Sequence, residues 1–526
     1  MPPKRAPIIP GSLKSTQKSR KKKKRAIAEA STSQQPMPDD DDDHDDEVEV
    51  APQYDALHVD DSLLSLVHEA GDAPAHEATG RAIVTSPDTS DKPERFFGWL
   101  VAPLTPEQFV EEIHERRAVH VARAALPDYY AGWFGRTQID ALLRAGKLRY
   151  TEEIDVTSYE GGERQTHNGD GVAAAEDVWR RFGDGCSVRL SWPQRHSDEV
   201  WAMVAQLEEY FGCGGGCNSY LTPAGCQGFA PHWDDVDAFI LQVEGVKHWR
   251  IYAPRSPDEA LPRFSSPNFA QDELGGEPLA EVTLRPGDLL YLPRGFIHQA
   301  ESDAEHDSLH LTLSTGRQHT WRDLLQLAVE GAVEDAAAHM PEWRRSLPRD
   351  YLEYMGVVHA DAADVRRAAF AQRLQAMVQS VVASLPLDAA CDQFACRRLM
   401  HDRLPPRMAR ADAARAPTDP AKVELGSRIR LVARHAARLC VEGDVAVLYT
   451  HTCNTRVYHA DDEAQHIDFS MEAAPCIEKI LLAYPKYLTV AKLPADNDAQ
   501  RLDIVRAMVE ARLLLVRPPK ADGAAE

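Results

Sequence analysis

Residues 230–237 read Ala-Pro-His-Trp-Asp-Asp-Val-Asp and lead into an apolar run at 238–243 that is typical of a buried strand. Further short apolar runs follow at 248–252, 289–292 and 309–313, and turn signals such as Arg-Pro-Gly-Asp separate them. Many short strands at this spacing predict a β-sandwich or a β-barrel between residues 187 and 314.

His232 and Asp234 have the residue types and the spacing of metal ligands. They lie two positions apart, so on a strand both side chains would point to the same face. We expect the third ligand to be His298, which lies 66 residues further on. Two histidines and one carboxylate leave three adjacent positions free on an octahedral metal, which suits Fe(II) that binds a bidentate co-substrate and O₂. A closed zinc site would instead have four ligands, usually with thiolates.

Because a His-x-Asp tripeptide alone occurs often by chance, other polar residues must support the site. Lys247 follows His232 by 15 residues, on the next predicted strand. A buried lysine needs an anion, and the distal carboxylate of a dicarboxylate co-substrate would supply one. Each of these residues taken singly is more simply a surface side chain, but together they favour a site. Two further pairs with a spacing of two offer polar groups on a common strand face: Asn218 with Tyr220, and His310 with Thr312.

The composition of the chain limits its class. Its 526 residues predict two to four domains, and a formal net charge of −23 argues against a surface that binds polyanions as a whole. Nine irregularly spaced cysteines make no disulfide framework, no signal peptide opens the chain, and no apolar stretch is long enough to span a bilayer. We therefore expect a soluble multidomain protein of a reducing compartment, with no membrane partner.

Residues 1–92 are predicted to form a disordered tail. Residues 1–25 carry ten Lys or Arg and residues 39–49 carry nine Asp or Glu, and like charges at this density repel one another and bury nothing. The basic cluster is typical of a nuclear or nucleolar address or of a patch that touches RNA. A tail that only keeps the chain soluble is the alternative.

After the last predicted strand the apolar period becomes helical. Phe370, Leu374, Met377 and Val381 recur on one face of an amphipathic helix. This pattern predicts a helical module at 321–410, whose apolar stripe is either core or the contact face of a partner helix.

A last compact unit is predicted at 421–520. It has a strand pair at 445–449 and 455–458 and helices near 476–482 and 499–512, a pattern shared by winged helices. The unit carries 14 basic and 13 acidic side chains, and a net charge of +1 is no footprint for a phosphate backbone. We expect a winged helix used for protein contacts, with nucleic-acid binding weak or absent outside the basic tail.

Four segments of the sequence resemble the ribosomal oxygenases, which are JmjC-fold oxygenases dependent on Fe(II) and 2-oxoglutarate. The segments are 218–223 (NSYLTP), 228–235 (GFAPHWDD), 264–269 (FSSPNF) and 293–300 (PRGFIHQA), and the resemblance runs from about residue 96 to residue 516. It implies a multidomain fold of mixed α and β structure. The implied domains are a cupin-like, double-stranded β-helix JmjC catalytic domain at 93–320, a helical dimerisation domain at 321–410 and a C-terminal winged helix at 421–520.

The resemblance also implies a role for individual residues. The residues that would bind Fe(II) are His232, Asp234 and His298. The residues that would hold 2-oxoglutarate are Lys247, at its distal carboxylate, with Asn218, Tyr220, His310 and Thr312 nearby. The residues that would line the substrate-peptide pocket are Arg189, Tyr220, Asn268 and Ser314.

The reaction that the resemblance implies is hydroxylation of a histidine in a large-subunit ribosomal protein. The alternative is demethylation of a methylated lysine of histone H3 in chromatin regulation, which the metal triad cannot distinguish because both reactions share the metal centre. The 15-residue spacing of Lys247 resembles protein hydroxylases more than histone demethylases. A third hypothesis, from another class, is a non-catalytic nuclear scaffold. The resemblance further implies a homodimer in the nucleus, at the nucleolus.

Overall fold

In the computed structural model the described residues are 62–69, 80–86, 89–408, 419–457 and 464–519. The charged runs at 1–25 and 39–49, and the nucleolar address predicted there, lie outside these ranges. The strands, numbered in chain order, are β1 (Leu63–Val67), β2 (Ala118–Ala122), β3 (Ile154–Glu160), β4 (Glu163–Thr166), β5 (Ser187–Ser191), β6 (Gly216–Thr222), β7 (Asp237–Gly245), β8 (Lys247–Tyr252), β9 (Ala280–Leu284), β10 (Leu289–Leu292), β11 (Ile297–Ser302), β12 (Ser308–Thr315), β13 (Arg428–Leu431), β14 (Ala437–Glu442), β15 (Val445–Thr450), β16 (Gln465–Ser470), β17 (Leu488–Thr489) and β18 (Leu514–Arg517).

The α-helices are numbered in the same way. They are α1 (Gly80–Thr85), α2 (Lys92–Val101), α3 (Pro106–Gln108), α4 (Arg136–Arg144), α5 (Ala175–Gly183), α6 (Asp198–Phe211), α7 (Trp321–His339), α8 (Val365–Ala383), α9 (Leu387–Phe394), α10 (Met400–Asp402), α11 (Ala474–Leu482) and α12 (Asp498–Glu510). Among the described residues no single helix is long and apolar enough to cross a membrane, and only α8 together with the bent segment Leu387–Asp402 reaches that length and composition.

Strands β1 to β12 form two sheets. The larger has the strand order β1-β2-β10-β7-β12-β6-β5-β3-β4, and the smaller has the order β11-β8-β9. Ile240 and Leu290 of the large sheet share a buried cluster with Trp249 and Leu284 of the small sheet, so the two sheets pack face to face. This is a cupin-like double-stranded β-helix, and it confirms the predicted β-sandwich or barrel.

Strand β7 shows how the sequence builds this layer. Its side chains alternate between two cores: Ile240 faces the small sheet, whereas Phe239 packs against helix α2 through Phe97, with 5.9 Å between ring centroids. Because β7 is buried on both faces, its sequence is a nearly continuous apolar run. At its end Gly245 has a φ of +67°, and a Cβ there would lie 1.6 Å from the carbonyl oxygen of Asp307, so the turn requires glycine.

The predicted disordered tail, 1–92, is too long. Strand β1 pairs in parallel with β2, and Ile83 of helix α1 is fully buried in the main core. The apolar side chains of these two short segments pack onto the main core. The charge density of the preceding runs therefore did not predict the regular structure at residues 63–67 and 80–85.

The helical character predicted after the last strand is confirmed by α7 and α8. On α8, Val381 is 4% exposed but Leu374 is 52% exposed, so the predicted apolar stripe is only partly covered within one chain. The exposed part of the stripe is therefore not core of this chain, and the other predicted role, contact with a partner helix, stays a prediction.

In the last unit the strand at 445–449 and both predicted helices are confirmed, but the predicted strand partner is wrong. Strand β15 pairs with β14 and β16, whereas residues 455–457 form no strand. The side chain of Asn454 donates hydrogen bonds to the carbonyls of Met400 and Arg403, and Arg456 lies over the ring of Trp201 at 3.7 Å. These tertiary contacts hold the segment against helices of the preceding regions instead of in a sheet.

Candidate active site

The side chains of His232, Asp234 and His298 converge on one point. One ligand atom from each of them lies within 4.8 Å of the other two. The Asp234 carboxylate places Oδ1 3.8 Å from Nε2 of His232 and Oδ2 3.8 Å from Nε2 of His298. Three side chains that are far apart in sequence therefore form one cluster, open on the side of a cavity.

Backbone pairing brings the two histidines together. His298 lies in β11 and donates its N–H to the carbonyl of His232 at 2.9 Å, and the N–H of His232 donates back at 3.2 Å. The sequence pattern predicted His232 and Asp234 on one face of a strand. They lie instead in the loop before β7, where this isolated bridge fixes the position of His232 beside His298.

Each histidine presents the nitrogen that a metal needs. Nδ1 of His232 lies 2.8 Å from the carbonyl oxygen of Ala230, and Nδ1 of His298 lies 3.1 Å from that of Phe296. An Nδ1–H donated to a carbonyl leaves the Nε2 lone pair directed at the cluster centre. Burial lowers the pKa of His298 to about 4, so its ring is neutral at pH 7. This donor set fits a divalent metal with positions left free for other ligands.

An inner cavity of about 50 Å³ adjoins the cluster. All three cluster residues line it, and so do four of the residues predicted to hold a co-substrate: Lys247, Tyr220, His310 and Thr312. Trp249, which the sequence reasoning missed, also lines it. Since Trp249 follows Lys247 by two positions on β8, strand parity was a signal that could have found it.

Lys247 is the cation of this inner cavity. It is 5% exposed, its Nζ donates to Oγ1 of Thr222 at 3.1 Å, and no carboxylate of the described residues forms an ion pair with it. Burial lowers the pKa of Lys247 to about 7. An anionic ligand in the cavity would restore the charge of this amine.

The polar pairs predicted on common faces occupy adjacent strands. His310 and Thr312 of β12 stand opposite Tyr220 and Asn218 of β6, and the Tyr220 and His310 rings stack with 4.9 Å between centroids. Asn218, which the sequence assigned to the co-substrate, lines an outer cavity instead of the inner one. Its amide lies 3.5 Å from the hydroxyl of Tyr220, at the boundary between the two.

The outer cavity has a volume of about 330 Å³ and reaches His232 and Asp234 of the cluster. The four residues predicted to contact a substrate peptide all line it: Arg189, Tyr220, Asn268 and Ser314. Arg164, Asp235 and Arg317 also line it and were not predicted. Arg164 lies on the hairpin strand β4, far from every motif, so no spacing in the sequence pointed to it.

A cupin-like β-helix with a two-histidine, one-carboxylate cluster beside a cavity has the architecture of the JmjC-type oxygenases. The sequence matches the JmjC domain family over residues 189–324. It also matches the family described as Ribosomal oxygenase 1, C-terminal winged helix domain, over residues 406–519. The chain is therefore a JmjC-type oxygenase that carries a C-terminal winged helix.

Similar proteins make the assignment more specific. The chain is 41% identical over 445 residues to Ribosomal oxygenase 1 of Gallus gallus, covering 82% of this chain and 73% of the relative. It is 40% identical over 421 residues to a Dictyostelium discoideum protein named bifunctional lysine-specific demethylase and histidyl-hydroxylase NO66, covering 79% and 81%. The chain belongs to the ribosomal oxygenase family. A crystal structure of the Escherichia coli ribosomal oxygenase YcfD covers 79% of this chain at 16% identity with a TM-score of 0.45, a likeness too distant to add to this assignment.

Proposed function

We propose that this protein is an Fe(II)- and 2-oxoglutarate-dependent oxygenase that hydroxylates a histidine of a large-subunit ribosomal protein. The observation that carries the proposal is the convergence of His232, Asp234 and His298 beside the buried amine of Lys247. The names of the relatives, ribosomal oxygenase and histidyl-hydroxylase, support the substrate class.

His232, Asp234 and His298 would hold the metal, and Lys247 would hold the distal carboxylate of 2-oxoglutarate. When bound, the metal and co-substrate supply the oxidising power: one atom of O₂ goes to the substrate and the other to 2-oxoglutarate, which leaves as succinate and CO₂. The chain itself orients the metal-binding nitrogens through the carbonyls of Ala230 and Phe296.

The outer cavity would receive the target histidine. A histidine ring is largely neutral at pH 7, so polar groups rather than charges suit it. Tyr220, Asn268 and Ser314 supply such groups in the lining. The cavity reaches His232 and Asp234, which would place the bound side chain next to the metal.

The test is mass spectrometry of large-subunit ribosomal proteins from cells with and without this protein. We expect one histidine-containing peptide to gain the mass of one oxygen atom only when the protein is present, and purified protein to form succinate with that peptide. The second candidate, demethylation, is favoured by the name of the Dictyostelium discoideum relative. Formaldehyde release from trimethyl-lysine histone H3 peptides, with no histidine oxidised, would establish demethylation and contradict our proposal.

The affinity for 2-oxoglutarate is expected to fall as the pH rises above 7. The free protein holds Lys247 at a pKa of about 7, so its amine loses its proton above that pH. A bound carboxylate stabilises the charged amine and raises this pKa, so binding takes up a proton between the two pKa values. The dissociation constant should therefore increase by up to about tenfold per pH unit above 7 and level off below it.

Calorimetric titration of the metal-loaded protein with 2-oxoglutarate, from about pH 6 to about pH 9, measures this dependence. Lys247→Met should bind weakly, with little pH dependence. Lys147→Met, at an exposed position, is the matched control and should behave like the wild type. A wild-type affinity that is flat across this range would contradict the role of Lys247.

We further propose that the protein forms a homodimer through its helical region. Trp321, Leu325, Val329 and Val333 recur every four residues on α7 and are between 38% and 70% exposed. The apolar face of α8 is also partly uncovered, at Leu374. A second copy of the chain that presents the same helices would bury both faces in a self-complementary interface.

The double variant Leu325→Glu/Val329→Glu is expected to be monomeric. Carboxylates at the centre of an apolar interface would be buried without partners when the dimer forms. The free-energy cost of burying them exceeds the free energy gained from the apolar contact. Light scattering coupled to size exclusion measures the mass. Glu334→Lys, on the opposite side of α7, is the control and should remain dimeric. A monomeric wild type would contradict the proposal.

For the location in the cell, we propose the nucleolus, because of the basic cluster at 18–25. A fluorescent fusion of the full chain should accumulate there. Replacing the basic residues of this cluster by glutamine should disperse it. If that variant still accumulated in the nucleolus, the cluster would not be a nucleolar address, and keeping the chain soluble would remain as its role.

A further inference from the structure

Three arginines line the outer cavity: Arg164, Arg189 and Arg317. Two of them are neutralised within the chain. The guanidinium of Arg189 is paired with the carboxylate of Asp155, and Nε of Arg317 donates to Oδ2 of Asp235 at 3.0 Å. The guanidinium of Arg164 forms no hydrogen bond or ion pair with any residue of the described ranges, although its Nε is buried.

The fold fixes the place of this guanidinium. Arg164 lies on β4, the edge strand of the large sheet, and its guanidinium carbon is 4.5 Å from the centre of the Phe229 ring. Phe229 in turn packs edge-on against Tyr220, with 5.4 Å between centroids. Stacking on an aromatic face orients the planar group but uses none of its five N–H donors.

The environment of Arg164 is unfavourable for an isolated cation. Burial and the neighbouring Arg189 both lower its pKa, although an arginine stays protonated at neutral pH. A partly buried donor without an acceptor costs free energy, so such groups in proteins are almost always paired. Because the group lies in the lining of a cavity that leads to the metal cluster, its acceptor is expected in whatever fills that cavity.

We propose that Arg164 recognises the substrate polypeptide, by donating hydrogen bonds to acceptor oxygens of residues that flank the target side chain. The inference rests on the proposed function, since it takes the occupant of the outer cavity to be a polypeptide. The fork of a guanidinium suits both main-chain carbonyls and a carboxylate. Arg164 is then a specificity residue that acts on substrate binding and is not a metal ligand.

The test uses the full chain as wild type, Arg164→Ala and Arg164→Lys, with histidine-centred peptides that tile the large-subunit ribosomal proteins. Binding is measured with Mn(II) and 2-oxoglutarate in the absence of O₂, so that bound peptide is not consumed. For the peptide that the wild type binds most tightly, Arg164→Ala should raise Kd and KM by about tenfold or more. Because the contact is made equally before and during the reaction, kcat should change by less than about twofold.

Arg164→Lys should recover only part of the affinity, because an ammonium lacks the planar fork. Arg144→Ala, which removes an arginine from an exposed pair with Asp140 on α4, is the matched control and should bind like the wild type. Repeating the titration with acidic residues of the peptide changed to amides identifies the acceptor. If the effect of Arg164→Ala disappears, the acceptor is a side-chain carboxylate; if it persists, the acceptor is a main-chain carbonyl.

Equal peptide affinity of the wild type and Arg164→Ala would overturn this inference and leave the proposed function intact. A wild-type protein that binds none of the ribosomal peptides would overturn both. A fall in kcat with no change in Kd would also overturn the inference, since it would place the effect of Arg164 on the reaction and not on recognition.

Discussion

His232→Ala is expected to abolish hydroxylation while the protein stays folded. The variant removes one of three side chains that converge within 4.8 Å, and two remaining ligands leave a weak and misdirected metal site. Loss of only an outer-shell partner lowers metal affinity by about 10- to 100-fold, so the loss of a direct ligand should exceed that range. Turnover should fall to the background of the assay. The side chain of His232 is 26% exposed and contributes little to the core, so thermal melting should change little.

Succinate formation, metal content of the purified protein and melting followed by circular dichroism measure these three effects. His248→Ala is the matched control, because His248 is a half-exposed histidine on β8 outside both cavities. It should retain turnover and metal. Turnover by His232→Ala would show that the cluster is not the catalytic centre, and a wholesale loss of melting cooperativity would make His232 a structural residue.

The ligand cluster shows what a sequence pattern can and cannot predict. Spacing identified His232 with Asp234 as a pair, and residue chemistry selected His298 as the third member. The pattern could not predict the local structure that joins them, because the bridge between His232 and His298 is a tertiary contact between loop and strand. Apolar runs predicted the strands of the barrel because burial on both faces leaves a simple signal in the sequence.

Errors occurred where long-range packing decides the conformation. Residues 455–457 have residue types that suit a strand, but the contact of Arg456 with Trp201 and its ion pair with Asp198 hold the segment elsewhere. Propensity is a weak guide in such places. Arg164 lay beyond prediction for another reason. Arg164 stands out only because Arg189 and Arg317 have carboxylate partners and it has none among the described residues. Such ion pairs join residues that are far apart in sequence, so no spacing or periodicity in the sequence predicts them.

A buried ion pair connects the two segments that carry the metal ligands. Arg294 lies four residues before His298, and Asp237 lies three residues after Asp234. Nη1 of Arg294 is 3.0 Å from Oδ2 of Asp237, and the backbone N–H of Arg294 donates to Oδ1 at 3.2 Å. Asp237 is fully buried, and burial raises the pKa of its carboxyl even though Arg294 opposes that shift. Arg294 also pairs with Glu115 at 2.6 Å. Glu115 and Asp237 form a second cluster of possible metal ligands with His114, but the guanidinium between the two carboxylates makes it a poor cation site.

Asp237→Ala is therefore expected to be strongly destabilising and to weaken metal binding as well. Removing one partner of a buried pair leaves the other charge uncompensated, which costs about 3–5 kcal/mol. For a domain of this size that loss lowers the melting temperature by roughly 6–20 °C. The carboxylate also accepts a hydrogen bond from the backbone N–H of Arg294, in the segment that leads to His298. Without it the two ligand segments should be held less firmly, and metal affinity should fall by about 10- to 100-fold.

Asp237→Asn keeps an acceptor for that backbone N–H and should lose less metal affinity than the alanine variant. Glu281→Ala removes an acid from an exposed pair with Arg250 and should cost less than about 1 kcal/mol. If Asp237→Ala had the same melting temperature as Glu281→Ala, the pair of Arg294 and Asp237 would contribute nothing to the stability of the fold. If its melting temperature fell but it bound metal normally, the backbone bridge between His232 and His298 alone would hold the ligand segments together.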